Sequence, residues 1–341
     1  MPTTMPSKID LHSHFLPPFY RTALQTHGHA NPDGMPAVPD WSETSHLALM
    51  DKLNISRSIL SISSPGTHLI ASDPSLAITL TRRCNAYAAD LKRRHPSRFG
   101  FFASLPLPEI QASLDEIPKA ISEDCDGFVL LTNAHGHYLG DEILNPIFEE
   151  LNRRKAIVFI HPTTPKCPCS TESTAAGGQT PIPATPFAGR FPNPMLEFFF
   201  DTARIVTNLF LSGTVQRCPD IKFILPHLGG AFAPLLSRWT GFSGLVPGPW
   251  SGVSEEEVKA AFERQFWFDI AGFVFPSQIK GLVEGVGVSN ERLVYGSDFP
   301  FTKAEGVEML LGQMDVGVKG MFEEGETENL YHGNAERLLE S

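Results

Sequence analysis

Eight short runs rich in β-branched and aromatic residues recur along the chain, most of them separated by segments with helical spacing, and this alternation restricts the folds open to it. The runs lie at 8–14 (KIDLHSH), 57–63 (RSILSIS), 99–105 (FGFFASL), 127–132 (GFVLLT), 156–161 (AIVFIH), 221–227 (IKFILPH), 266–272 (FWFDIAG) and 292–298 (RLVYGSD). Several are almost continuous in Val, Ile, Leu and Phe, as strands of a parallel sheet covered on both faces should be. Helical spacing occupies 45–53, 75–95, 109–123, 146–154 and 254–264, the last with an acidic first turn, Glu255–Glu257, behind a Ser254 cap. The pattern predicts an α/β protein, a (β/α)8 TIM barrel forming one domain over 1–341. A doubly wound sheet is the alternative, because alternation alone does not prove closure. A barrel takes about 250 residues. The surplus is assigned to insertions at 15–41 after the first strand, 162–194 after the fifth, and 241–252, read as walls, lids or subunit contacts.

Composition narrows the function. Hydrophobic residues at 42% and charged residues at 19% allow a sizeable core. No run of 18 apolar residues is free of charge, so no membrane helix is expected. A net charge of −11 argues against nucleic acid or an anionic membrane as partner, since both require a basic surface. Five cysteines without a visible secretory signal point to the cytosol.

His12 and His14 end the first run. Two residues apart on a strand, both imidazoles can reach one ion in the barrel mouth. Chance alone gives about 0.4 such pairs among 12 histidines, and His27/His29 and His135/His137 also occur. Placement at a strand's C-terminal end, where barrel enzymes keep their sites, sets the first pair apart. His161, His227 and Asp298 close three other runs at the same rim. Each alone could be a satisfied core group or a helix cap, but closure would bring all of them around one centre. Imidazoles with one carboxylate suit a single divalent ion, Zn²⁺ first, with Mn²⁺ or Fe²⁺ as alternatives.

HxH on the first strand, HP after the fifth, HLGG after the sixth and GSDFP after the eighth resemble the amidohydrolase superfamily, and within it the branch of aminocarboxymuconate semialdehyde and γ-resorcylate decarboxylases. The segments KIDLHSHFLPPFY and NPDGMPAVPDW are most similar to fungal members acting on 6-methylsalicylate. The resemblance implies that His12, His14, His161 and Asp298 are metal ligands, His227 is catalytic, and Arg238 contacts the substrate carboxylate, in some relatives across a dimer interface. GFVLLT lacks the fourth-strand lysine that bridges two metals in many hydrolytic members, which favours one ion.

The expected activity is non-oxidative decarboxylation of a small hydroxylated aromatic acid, taken to be 6-methylsalicylate giving 3-methylphenol and CO2 in polyketide secondary metabolism. Asp298 would serve as ligand and proton donor, with His227 as its partner or as the activator of a metal-bound water. A homodimer follows from the resemblance. The alternative is a mononuclear hydrolase opening a lactone or cyclic amide; a silent scaffold is disfavoured because every ligand position is filled. Arg204 reads as an ion-paired helical residue. Of Phe191, Phe198, Phe273, Phe299 and Phe301, only Phe299 is assigned to the pocket lining. Cys167 and Cys169 lack a second ligand pair and are read as structural or fortuitous.

Overall fold

A computed structural model describes residues 6–167 and 181–341. Eight parallel strands follow one another in sequence order: β1 (Lys8–His14), β2 (Ile55–Ser61), β3 (Phe99–Ser104), β4 (Gly127–Leu131), β5 (Ile157–His161), β6 (Lys222–Leu225), β7 (Phe266–Asp269) and β8 (Leu293–Val294). The sheet nearly closes. Leu11 N donates to Tyr295 O at 3.0 Å, Asp298 N to His12 O at 2.7 Å, and His14 N to Phe299 O at 2.7 Å, so the chain beyond β8 runs beside β1.

The barrel interior takes at least one apolar side chain from every strand: Ile9, Leu11, Ile59, Phe102, Val129, Ile157, Phe159, Ile224, Trp267 and Val294. Ala335 and Leu338 of the C-terminal helix (Asn334–Glu340) join this cluster. A β-bulge between Asp10 and Ser13 shifts the register of β1. Within it, His12 turns into the barrel, its ring 4.9 Å from that of Phe159, so the bulge re-aims the strand where the site begins.

The outer helices include α1 (Pro18–Thr26), α2 (Glu43–Leu53), α3 (Pro74–Arg94), α4 (Ile110–Ser122), α5 (Asn145–Arg153), α6 (Glu197–Leu211), α7 (Leu236–Leu245), α8 (Glu255–Gln265) and α9 (Ala304–Lys319). Ser254 caps α8 as its sequence suggests, in a reciprocal pair with Glu257. Two local expectations change. Residues 15–41 carry helix α1, with proline at its first position. Residues 241–245 close α7 despite Gly241 and Gly244, because Thr240 and Ser243 are buried and Ser243 Oγ ties the helix to Val253. Within 162–194, the described part holds a short pairing of Lys166–Cys167 with Ile182–Pro183. Cys84, Cys125 and Cys218 are free thiols and Cys167 is disulfide-bonded, while Cys169 lies outside the described residues. No described helix is long and apolar enough to cross a membrane.

Candidate metal centre

His12, His14, His161 and Asp298 converge at the C-terminal mouth of the barrel, each offering a donor atom within 4.8 Å of the others. Nδ1 of each imidazole is engaged elsewhere, which turns Nε2 toward the centre. His12 Nδ1 donates to Asp269 Oδ2 at 2.9 Å. His14 Nδ1 lies 3.0 Å from Ser61 Oγ and 3.3 Å from Ser61 O. His161 Nδ1 donates to Pro162 O at 2.7 Å. The Nε2 atoms of His12 and His14 are buried without a hydrogen bond, 3.5 and 3.3 Å from Asp298 Oδ1. A buried, unpaired nitrogen is costly, and two of them facing one carboxylate fit a divalent cation between the four donors.

Charge organises the cluster. Burial works against a proton on His12, but Asp269 and Asp298 overcome it and push the group up to about 10. Burial, with His14 and His12 beside it, holds His161 well below the usual histidine range. Burial would raise Asp298, yet His12 and His14 hold its carboxyl well below the ordinary range. Without an ion, a proton on His12 thus supplies the positive charge that the carboxylates require.

His227 stands beside this group, its ring 5.0 Å from that of His12. It follows β6 by two residues, in a turn where His227 and Leu228 take φ of 50° and 53°. Such left-handed backbone in non-glycine residues is strained and persists where the surroundings impose it. His227 N donates to Asp269 Oδ1 at 2.9 Å, and Nδ1 donates to Ala271 O at 3.0 Å, leaving Nε2 unused. Gly230 permits the turn: at φ 68°, a Cβ would lie 2.4 Å from Phe199 O.

Asp269 and Asp10 support the centre, and neither was singled out in the sequence. Asp269 ties the His12 ring to the His227 backbone and also accepts from Ala271 N. Asp10 accepts from Ser297 N at 3.0 Å and Ser297 Oγ at 2.6 Å, anchoring the segment that carries Asp298. The available signal was a lone carboxylate inside an apolar strand, which must have a partner when buried.

Other expected residues lie elsewhere. Arg238 is exposed on α7, its guanidinium 4.8 Å above the Phe242 ring, and among the described residues it forms no hydrogen bond or ion pair with the cluster. Phe299 is not placed by its ring beside the histidines of the centre: the ring is buried edge-on against His46. Phe301 meets His14 instead, at 5.5 Å, and Phe198 and Phe199 border His161 and His227. Phe191 and Phe273 are exposed. Arg204 pairs with Asp201 at 3.2 Å, the ordinary helical role. Asp298 does not cap α9, which begins six residues later.

A family model described as amidohydrolase matches residues 9–340. Decarboxylase yanB of Aspergillus niger is 36% identical over 318 residues, covering 90% of this chain and 81% of that protein. A 6-methylsalicylic acid decarboxylase of Penicillium expansum is 34% identical, covering 86% and 85%. A crystal structure described as an amidohydrolase II superposes with a TM-score of 0.85 at 30% identity, covering 98% of this chain and all of that one. A dihydroxybenzoic acid decarboxylase of Polaromonas, solved with manganese and 2-nitroresorcinol, shares the fold at TM-score 0.76 and 20% identity, covering 98% and 97%.

Proposed function

The chain belongs to the amidohydrolase family, and from that premise we propose that it is a carboxy-lyase removing CO2 from a small hydroxylated aromatic acid, with 6-methylsalicylate giving 3-methylphenol as the specific reaction. The carrying observation is the set of four convergent donors with unpaired Nε2 atoms on His12 and His14. The names of the fungal relatives support the substrate class.

His12, His14, His161 and Asp298 would hold one divalent cation, which when bound supplies a Lewis acid for the substrate carboxylate and its ortho hydroxyl. Three imidazoles and a carboxylate suit Zn²⁺; the manganese in the Polaromonas structure supports Mn²⁺ as the other candidate. The ring carbon must gain a proton as its bond to the carboxyl carbon breaks. We assign the delivery of that proton to Asp298, which would first take it up through His227 Nε2, because its own carboxyl is held well below the ordinary range and carries none at rest; Nδ1–H of His227 stays on Ala271 O. Asp269 keeps the His12 imidazole oriented and holds the His227 backbone.

The chain is further taken to act as a cytosolic homodimer. The free thiols of Cys84, Cys125 and Cys218 suit a reducing compartment, while the disulfide at Cys167 weighs the other way. Leu235, Phe242, Leu245 and Val246 expose apolar surface around Arg238, which supports a subunit contact there.

Turnover of 6-methylsalicylate in deuterated buffer tests the reading. CO2 release with deuterium on the carbon that carried the carboxyl group supports it. Ring opening of a lactone without CO2 release favours the hydrolase, and stable 6-methylsalicylate with the ion bound removes that substrate.

A further inference from the structure

A second chamber opens at the barrel mouth, on the side formed by the loops after β2, β3, β4 and β5. Its volume is about 250 Å³, and none of its lining residues is a candidate metal ligand or His227. Val129 of the barrel interior lines it, as do the apolar side chains Ile62, Leu105 and Leu107. Thr163, two residues from His161, lines it too and bonds Ser64 Oγ at 2.7 Å.

Polar residues line the chamber as well: Asp33, whose carboxylate accepts from Thr164 N and Oγ1, and three groups open to a ligand, His68, His135 and Lys166. His68 is buried, and Nδ1 donates to Leu107 O at 3.0 Å, so its proton is committed there. Nε2 therefore carries a lone pair, and it is buried without a partner. His135 Nε2 donates to His68 O at 2.9 Å, leaving its Nδ1 to face Lys166 Nζ at 3.3 Å. Lys166 is half-buried and pairs with no carboxylate among the described residues. A buried acceptor without a partner, and a cation whose one partner here is the neutral face of His135 with no carboxylate among the described residues, are met by a ligand that supplies a hydrogen-bond donor and a negative charge.

We propose that this chamber is a second binding site for a hydroxylated aromatic carboxylate, with His68 Nε2 accepting from the ligand's hydroxyl and Lys166 Nζ facing its carboxylate. The choice of an aromatic body rests on the substrate class proposed above; the donor and charge requirements come from His68 and Lys166 alone.

Titration of the full-length protein with 3-hydroxybenzoate and with benzoate, in ion-loaded and ion-stripped forms, tests it by calorimetry. Binding of 3-hydroxybenzoate should persist without the ion and be at least tenfold tighter than that of benzoate. His68→Phe should abolish this preference, His68→Gln should restore part of it by returning an acceptor, and Lys166→Met should weaken both acids about tenfold. Ion content should stay unchanged in all three variants. Binding that disappears with the ion, or a hydroxyl preference that survives in a folded His68→Phe, overturns the second site while leaving the decarboxylase reading standing. Loss of the decarboxylase reading, shown by 6-methylsalicylate that is never turned over, leaves a His68-dependent hydroxyl preference intact.

Discussion

Asp269 illustrates what a single residue contributes here and why it escaped the sequence. FWFDIAG reads as a buried strand, and nothing in that string says that its carboxylate meets a histidine 257 positions away. His12, His14, His161 and Asp298 were legible because each ends or follows an apolar run at one rim. Side-chain direction was not, so Phe299 was assigned to a pocket when its ring packs on His46. Removing the oriented acceptor should loosen the ion rather than eliminate chemistry: Asp269→Asn is expected to weaken metal affinity about 10–100-fold, read by chelator competition, with kcat recovering in excess metal. His12→Ala and Asp298→Ala should instead lose ion and activity together. His227→Asn should retain one equivalent of metal while kcat falls roughly 10²–10⁴-fold, and near-normal turnover would remove His227 from the reaction.

At the scale of elements, β3, β4 and β5 were readable to within a few residues because each is a nearly unbroken, largely buried apolar run, whereas β1 and β2 mix polar residues among a few β-branched and aliphatic ones. The eighth strand was overextended: only Leu293–Val294 pair regularly with β7, and the chain from Tyr295 to Phe299 bonds to β1 instead, carrying Asp298 to the centre at φ 58°. Gly296 makes that crossing possible, because a Cβ there would stand 2.7 Å from His12 Cβ and 3.2 Å from Ala271 Cβ. Gly296→Ala should therefore cost about 1–3 kcal/mol in urea unfolding and lower the ion content by displacing His12. Gly312→Ala supplies the contrast: exposed inside α9, with nothing within 4 Å of the new Cβ, it should stabilise by roughly 0.5–1 kcal/mol and leave metal untouched. Equal effects of the two substitutions would contradict the packing argument.

For the whole molecule, the barrel buries more histidine than the metal centre uses, and this makes the fold acid-sensitive. His46 lies under β1, its Nδ1 accepting from Trp41 Nε1 at 3.1 Å and its ring edge-on to Phe99 and Phe299. Burial, then the neighbouring His14, lowers it to about 3. The unfolded chain titrates this group near the ordinary histidine value of 6.5, so between that pH and about 3 the unfolded state binds a proton that the folded state excludes. Stability from this residue is therefore complete above pH 6.5 and is lost as pH falls, by roughly 1.4 kcal/mol per pH unit once the unfolded imidazole is charged. Buried carboxyls contribute slopes of their own, so the absolute profile does not isolate His46, but a variant does. His46→Asn keeps an acceptor near the Nδ1 position and removes the titration. It will shift stability by a constant for the lost ring, and that constant cancels in the slope. Urea midpoints of both proteins from pH 7 to pH 4.5 should diverge at high pH and converge as the medium is acidified, the wild type losing about one proton's worth of slope more than the variant. Parallel profiles would mean that His46 is charged within the fold, and that its burial against Phe99 and Phe299 does not exclude the proton.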